Sequence, residues 1–119
     1  MYGLHFKRFI PVDLAKRHQV LTQGQADVSL VFTTDGQIKA DKLVLLADDK
    51  KLFPPYNATL VVRDATLRRA GPDFAKVVAQ VQKGLTTPVM QELNSRVDLD
   101  KETPGRVASQ YLREAGFIG

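Results

Sequence analysis

The sequence predicts an α/β chain, with strands in its first half and helices in its second. Three observations carry that expectation. Short apolar runs rich in β-branched residues, at 28–33, 43–46 and 58–63, punctuate the first sixty residues and are strand-sized. Beyond residue 64, apolar residues recur at helical spacing behind Pro72, Pro88 and Pro104. The composition, 44% hydrophobic and 25% charged, is globular and excludes wholesale disorder.

The elements follow in order. Residues 6–10 form a short β-like run stopped by Pro11. Asp13 is placed to cap a helix over 14–23, closed by Gly24. The run 28–33 reads as a buried strand. Thr34-Asp35-Gly36 reads as a turn, with glycine supplying positive φ. A second strand at 43–46 precedes the polar loop Asp48-Asp49-Lys50-Lys51. Phe53-Pro54-Pro55-Tyr56-Asn57 is stiff and extended, because each proline fixes its own φ and turns its predecessor away from helix. A third strand covers 58–63.

Asp64 opens a short helix through Ala70, ended by Gly71. Pro72 starts the next, with Phe74, Val77, Val78 and Val81 on one stripe and Gly84 at its close. Thr87-Pro88 opens a helix carrying Met90, Leu93 and Val97. Thr103-Pro104 opens the last, carrying Val107, Tyr111 and Ala115 and ending at Gly116. These stripes read as core, packing on the strands of the first half.

Seventeen basic against thirteen acidic residues leave a net charge of +4 in 119 residues. The charge is spread evenly, and the basic pairs such as Lys7-Arg8 and Lys16-Arg17 are isolated. That pattern reads as solvated surface and not as a nucleic-acid footprint. The chain has no cysteine, which excludes disulfides, thiolate nucleophiles and cysteine-held metals. No apolar run reaches the roughly 18 residues of a membrane span. The first residues do not read as a signal peptide, so the expectation is a cytoplasmic protein or a mature or excised piece of a larger one.

The motifs of phosphate loops, dinucleotide sites, serine hydrolases and zinc proteases are absent from the sequence. His5 and His18 have no partner in the pattern, and His18 reads as a surface or packing residue. Asp48-Asp49 reads as a solvated pair, and Asp98, Asp100 and Glu102 as a turn without calcium-loop spacing. No enzyme activity, cofactor or metal is expected. Aromatic chemistry remains. Phe32 ends a strand beside a tight turn, and Tyr56 lies in the proline-stiffened segment. The two suit the walls of a ligand pocket. Pattern alone favours the alternative, with Phe32 in the core and Tyr56 over a loop.

Three stretches carry a family resemblance: Phe32-Thr33-Thr34-Asp35-Gly36-Gln37-Ile38, then Leu43 through Asp48-Asp49-Lys50, then Phe53-Pro54-Pro55-Tyr56-Asn57. Tyr2-Gly3-Leu4, Gly24-Gln25-Ala26-Asp27-Val28 and Met90-Gln91-Glu92-Leu93-Asn94 flank them in the same order. The colinear set resembles the glycine betaine/choline/carnitine substrate-binding proteins of osmoprotectant ABC transporters. The resemblance implies the C-terminal part of a two-lobed, type 2 periplasmic-binding fold. It implies a ligand-binding set of Phe32, Tyr56, Thr34 and Asp35.

The two aromatics would form part of a cage for a trimethylammonium group, which has no N–H to donate and is held by ring faces. Phe32 departs from the tyrosine frequent at its position, keeping the π face and losing the hydroxyl. Thr34 and Asp35 would shape the loop, Asp35 by bracing the turn. The implied partners are a small quaternary amine and a membrane permease, with no nucleic acid. The implied location is the periplasm, or the outer face of a membrane by an anchor. Residues 1–57 would belong to the second lobe, and 58–119 would form a crossover strand and helices returning to the first. The missing half would be replaced by an alternative compact packing, by a homodimer exchanging elements, or by the rest of a larger protein. A ligand-sensing regulatory domain of the same fold, without a transport role, is the other reading.

Overall fold

The computed structural model describes residues 2–119. In the second half, helix boundaries follow local chemistry. Helix α3 spans Asp64–Ala70 and stops at Gly71, whose φ of 84° lies in the left-handed region that glycine enters freely. Arg63 holds the extended cap position, and Asp64 is the first helical residue, an acidic group at the positive end of the helix. Helices α4 (Pro72–Gly84), α5 (Thr87–Asp98) and α6 (Pro104–Glu114) each carry proline at one of their first two positions. There the missing N–H has no helical partner to lose, and the fixed φ already suits a helix. Gly116, at φ 75°, turns the chain after α6.

The first half has less regular structure. The helix expected over 14–23 divides at Arg17-His18 into a 3-10 turn, Leu14–Lys16, and a short helix α1, Gln19–Thr22. A further short helix, α2 (Gln37–Ala40), follows the Thr34-Asp35-Gly36 turn, where the sequence suggested only a turn before a strand.

The α/β expectation does not hold. Among the described residues every regular element is helical, and the runs at 6–10, 28–33, 43–46 and 58–63 form no strand. The physical reason is pairing. A β-branched run becomes a strand only when a second stretch of backbone lies about 4.8 Å beside it. Here these segments find no such neighbour. Where the end of the 28–33 run and the turn after it meet the rest of the chain, side chains take up their carbonyls. Gln91 Nε2 donates to Thr33 O at 2.6 Å, and Asn94 Nδ2 donates to Thr34 O at 2.8 Å. A helix face, and not a strand edge, satisfies this backbone.

Packing proceeds helix on helix: α3 on α4, α2 on α5, and α5 on α6. Gly36 makes the α2–α5 contact possible. Its φ is −62°, so the positive φ expected of it is not the reason for glycine. It is buried, and a Cβ at this position would lie 2.5 Å from the Ser95 Cα and backbone N. Gly84 similarly leaves room for the Tyr111 hydroxyl, which donates to Val81 O at 3.5 Å.

The core is thin. Among the described residues, the buried apolar side chains are Val20, Ile38 and Val107, and none of them is fully buried. Phe74, Val78, Val81, Met90, Leu93 and Val97 are half-buried, and Val77 is exposed, so the helical stripes find only part of the cover expected for them. The Cα radius of gyration is 18.2 Å, against about 13.5 Å for a compact chain of this length. The accessible surface is 9970 Å², against roughly 6,400 Å² for a compact monomer of this mass. None of the helices in the described residues is long and apolar enough to cross a membrane.

The α2–α5 contact generates a test. Gly36→Ala should destabilise the fold by about 1–3 kcal/mol, because the atoms it meets include Ser95 backbone, which cannot rotate away. Gly105→Ala, in α6 with open space around it, should leave stability unchanged or raise it by up to about 1 kcal/mol. Thermal unfolding followed by circular dichroism reads both.

Candidate ligand-binding site

The site rests on the turn that leads from residue 32 into α2. The Asp35 N–H donates to Phe32 O at 3.0 Å, and the Phe32 N–H donates to Asp35 Oδ2 at 3.0 Å. The same two residues are therefore tied in both directions. Asp35 also receives Arg17: Nε at 3.1 Å from Oδ2, and Nη2 at 2.9 Å from Oδ1 and 2.8 Å from Oδ2. A planar guanidinium matches a carboxylate in this forked geometry. Arg17 Nη1 donates in addition to Leu14 O at 3.0 Å.

His18 completes the cluster, with Nε2 3.0 Å from Asp35 Oδ2. A carboxylate held by arginine only accepts, so His18 donates through Nε2. The side chains of Arg17 and Asp35 are 15% and 13% exposed, and His18 is buried. Shielding of this order gives the pair more weight than a solvent-exposed ion pair carries. His18 Nδ1 is buried and has no hydrogen-bond partner among the described residues.

Above this polar base lie the aromatics. Phe32 and Tyr56, 24 positions apart, stack with ring centroids 5.8 Å apart and planes 19° apart. Arg17 Cζ lies 5.2 Å from the Phe32 centroid. Phe32 is thus contacted by a ring and by a cation. Tyr56 is 86% exposed, so much of its ring is open to solvent. The spacing matters for what the pair can hold. A cation clasped between two rings lies within about 6 Å of each, which sets the rings roughly 8–12 Å apart. At 5.8 Å the pair encloses no cation and offers instead an accessible outer aromatic surface.

Of the four residues the sequence singled out, the structure brings all into one region. Phe32 and Tyr56 are in contact, while Thr34 and Asp35 share the turn, half-buried. Arg17 and His18 escaped the sequence reading. Their partner is 17 to 18 residues away, and no local spacing announces it. Of the two readings of His18, surface or packing residue, burial supports packing, and the expectation that it has no partner is corrected by Asp35.

A second polar centre orders the loop at 48–53. Asp48 Oδ1 accepts from the Tyr2 hydroxyl at 2.8 Å and from the Leu52 N–H at 2.9 Å, and Oδ2 accepts from the Phe53 N–H at 2.8 Å. The Tyr2 hydroxyl accepts in turn from the Lys50 N–H at 2.9 Å, and Lys50 Nζ lies 4.9 Å from the Tyr2 ring centroid. Asp48 is therefore a loop organiser, not the freely solvated carboxylate its sequence context suggested. The Phe53 and Leu52 N–H groups, followed by the Tyr2 hydroxyl, hold its carboxyl below the ordinary value. At the other end of the chain, the Arg96 guanidinium, 2.7 Å from Glu102, holds that carboxyl low as well.

Comparison with known proteins adds an independent line. Residues 1–114 match the family described as the substrate binding domain of ABC-type glycine betaine transport systems. The chain is 42% identical over 116 residues to a glycine-betaine-binding protein of Pseudomonas aeruginosa, covering 96% of this chain and 37% of that protein. It is 33% identical over 117 residues to the carnitine transport binding protein OpuCC of Listeria monocytogenes, covering 98% and 38%. A Helicobacter pylori protein named as an ergothioneine transport permease and ergothioneine binding protein is 32% identical over 116 residues, covering 98% and 21%. The chain thus spans little more than a third of the length of the first two relatives, and about a fifth of the third.

Two outcomes follow from the polar centres. Asp35→Ala should cost about 3 kcal/mol, since it leaves Arg17 and His18 facing a shielded position without their acceptor. Urea unfolding of the variant measures it. For Asp48 and Glu102, a lowered folded pKa means stability that is present above the unfolded values and lost as pH falls through the folded ones. The urea midpoint should therefore drop between about pH 5 and pH 2, and Asp48→Asn should shrink that drop.

Proposed function

The chain belongs to the family of substrate-binding domains of ABC-type glycine betaine transport systems, and on that premise we propose that it forms part of a receptor that binds quaternary ammonium osmoprotectants and delivers them to a membrane permease. The family works by binding solute and not by catalysis. Its members act outside the cytoplasmic membrane, and that is the location proposed here, in the periplasm or anchored at the outer membrane face.

The observation that carries the proposal within this chain is the Phe32–Tyr56 pair on its Asp35 base. A trimethylammonium group is bulky and charged and has no N–H. It gains little from hydrogen-bond acceptors and much from desolvated ring faces, each contributing on the order of 1 kcal/mol or more. Tyr56 presents the open face, and Phe32 backs it. Thr34 and Asp35 shape the turn beneath, with Asp35 acting as brace. The pair supplies one wall, and other aromatic groups of the receptor supply the remaining walls. Glycine betaine and carnitine, for which two of the relatives are named, share the trimethylammonium head that such a wall recognises.

The test is calorimetric binding of glycine betaine to the receptor, expressed with any sequence that flanks this chain in its gene. Replacing Phe32 and Tyr56 together by alanine should weaken binding more than tenfold, as the desolvated face of Tyr56 and the ring that holds it in place are lost together. Undiminished affinity in that variant would remove the aromatic wall from the proposal.

A further inference from the structure

We propose that Arg17 is a positioning residue for the aromatic wall, fixing the Phe32 ring through a closed circuit that runs through Asp35. The inference rests on the binding role proposed above and concerns how the site is held.

The circuit has four links. Asp35 Oδ2 accepts the Phe32 N–H, which fixes the backbone from which the ring projects. The Asp35 carboxylate holds the Arg17 guanidinium by Nε and Nη2. Arg17 Nη1 donates to Leu14 O, which fixes the plane of the guanidinium from its other side. The guanidinium then lies against the Phe32 ring, 5.2 Å from its centroid. The backbone and the ring of one residue are thus both referred to the same carboxylate.

Phe32 needs such a device. A phenylalanine ring has no hydrogen-bonding group, so packing alone sets its rotamer. Phe32 is 45% exposed, and the packing is thin. Its ring contacts are Tyr56, itself largely exposed, and Arg17, which is largely shielded. Of these two, only Arg17 is tied to the framework by several hydrogen bonds. Lysine would not substitute, since a compact ammonium has neither the planar face for the ring nor the fork for the carboxylate. With hydrogens directed to Asp35 and Leu14 and a largely shielded side chain, Arg17 is placed to act on ligand through the ring.

The test uses the receptor with any sequence that flanks this chain in its gene, and two probes, glycine betaine and choline. They share the trimethylammonium head, but only glycine betaine carries a carboxylate. Arg17→Lys and Arg17→Gln should each weaken both probes by about three- to tenfold and to the same extent. In a Phe32→Ala background the same substitutions should have no further effect on either affinity. Thermal unfolding run in parallel separates a stability loss from this coupling, because a merely structural arginine would lower the melting temperature without coupling to Phe32 in binding. Loss confined to glycine betaine would overturn positioning in favour of carboxylate contact. Equal losses in the wild-type and Phe32→Ala backgrounds would overturn the circuit. If Phe32→Ala weakens binding while the Arg17 variants do not, the present inference fails and the aromatic wall stands. If neither matters, the wall itself fails.

Discussion

The carboxylate of Asp35 is the interaction on which the first half of this structure depends. It joins three stretches of chain that no regular element connects: the Arg17-His18 junction, the backbone at Phe32, and the start of α2. A carboxylate has about four acceptor positions, and here they serve a guanidinium, an imidazole and a backbone N–H. Few other side chains offer that many acceptors in so small a volume. Because α2 follows directly and packs through Gly36 onto α5, the same turn also ties the first half of the chain to the helical half. The carbonyls of Thr33 and Thr34, held by Gln91 and Asn94, reinforce that link from the other side.

Around this polar centre the apolar packing is sparse. Three buried apolar residues among those described fall short of an ordinary core, and the surface exceeds that of a compact chain by about half. Large side chains such as Phe9, Val44, Leu46 and Val61 stand well exposed. Exposed apolar area on this scale is characteristic of surfaces that meet other protein. The pair of α3 and α4 and the pair of α5 and α6 nevertheless keep their own contacts. Nearest-neighbour helix packing needs little from the rest of the molecule, and sheet formation needs a great deal.

That contrast explains what was legible in the sequence. The helices from residue 64 onward follow signals within a few residues of their ends, such as Pro72, Pro88, Pro104, Gly71 and Gly116, and they stand where those signals put them. The runs at 28–33, 43–46 and 58–63 have strand composition, but a strand is a relation between two segments, and composition describes only one. The family is legible because its motifs lie in order along the chain. The nearness of Phe32 and Tyr56 is legible only through that resemblance. The Arg17–His18–Asp35 cluster was not legible, because a basic pair and a lone histidine look like surface until the turn at Asp35 brings their acceptor beside them. Gly36 was expected for the wrong reason, a left-handed φ, when what it provides is the absence of a side chain.

The cluster also resolves an electrostatic difficulty in using Arg17 near a cation site. A bare guanidinium roughly 15 Å from a bound ammonium would oppose it by about 1 kcal/mol at an effective dielectric of 20, which would offset much of what a ring face contributes. Paired in fork geometry with Asp35, Arg17 presents a dipole, whose influence falls faster with distance than that of a charge. His18 donates to the same carboxylate. The arginine can then lend its planar face to Phe32 without placing net positive charge beside the ligand. An arginine without that carboxylate would repel the guest. The Asp35 carboxylate therefore serves twice, as the mechanical anchor of the turn and as the counter-charge that makes a cationic support compatible with binding a cation.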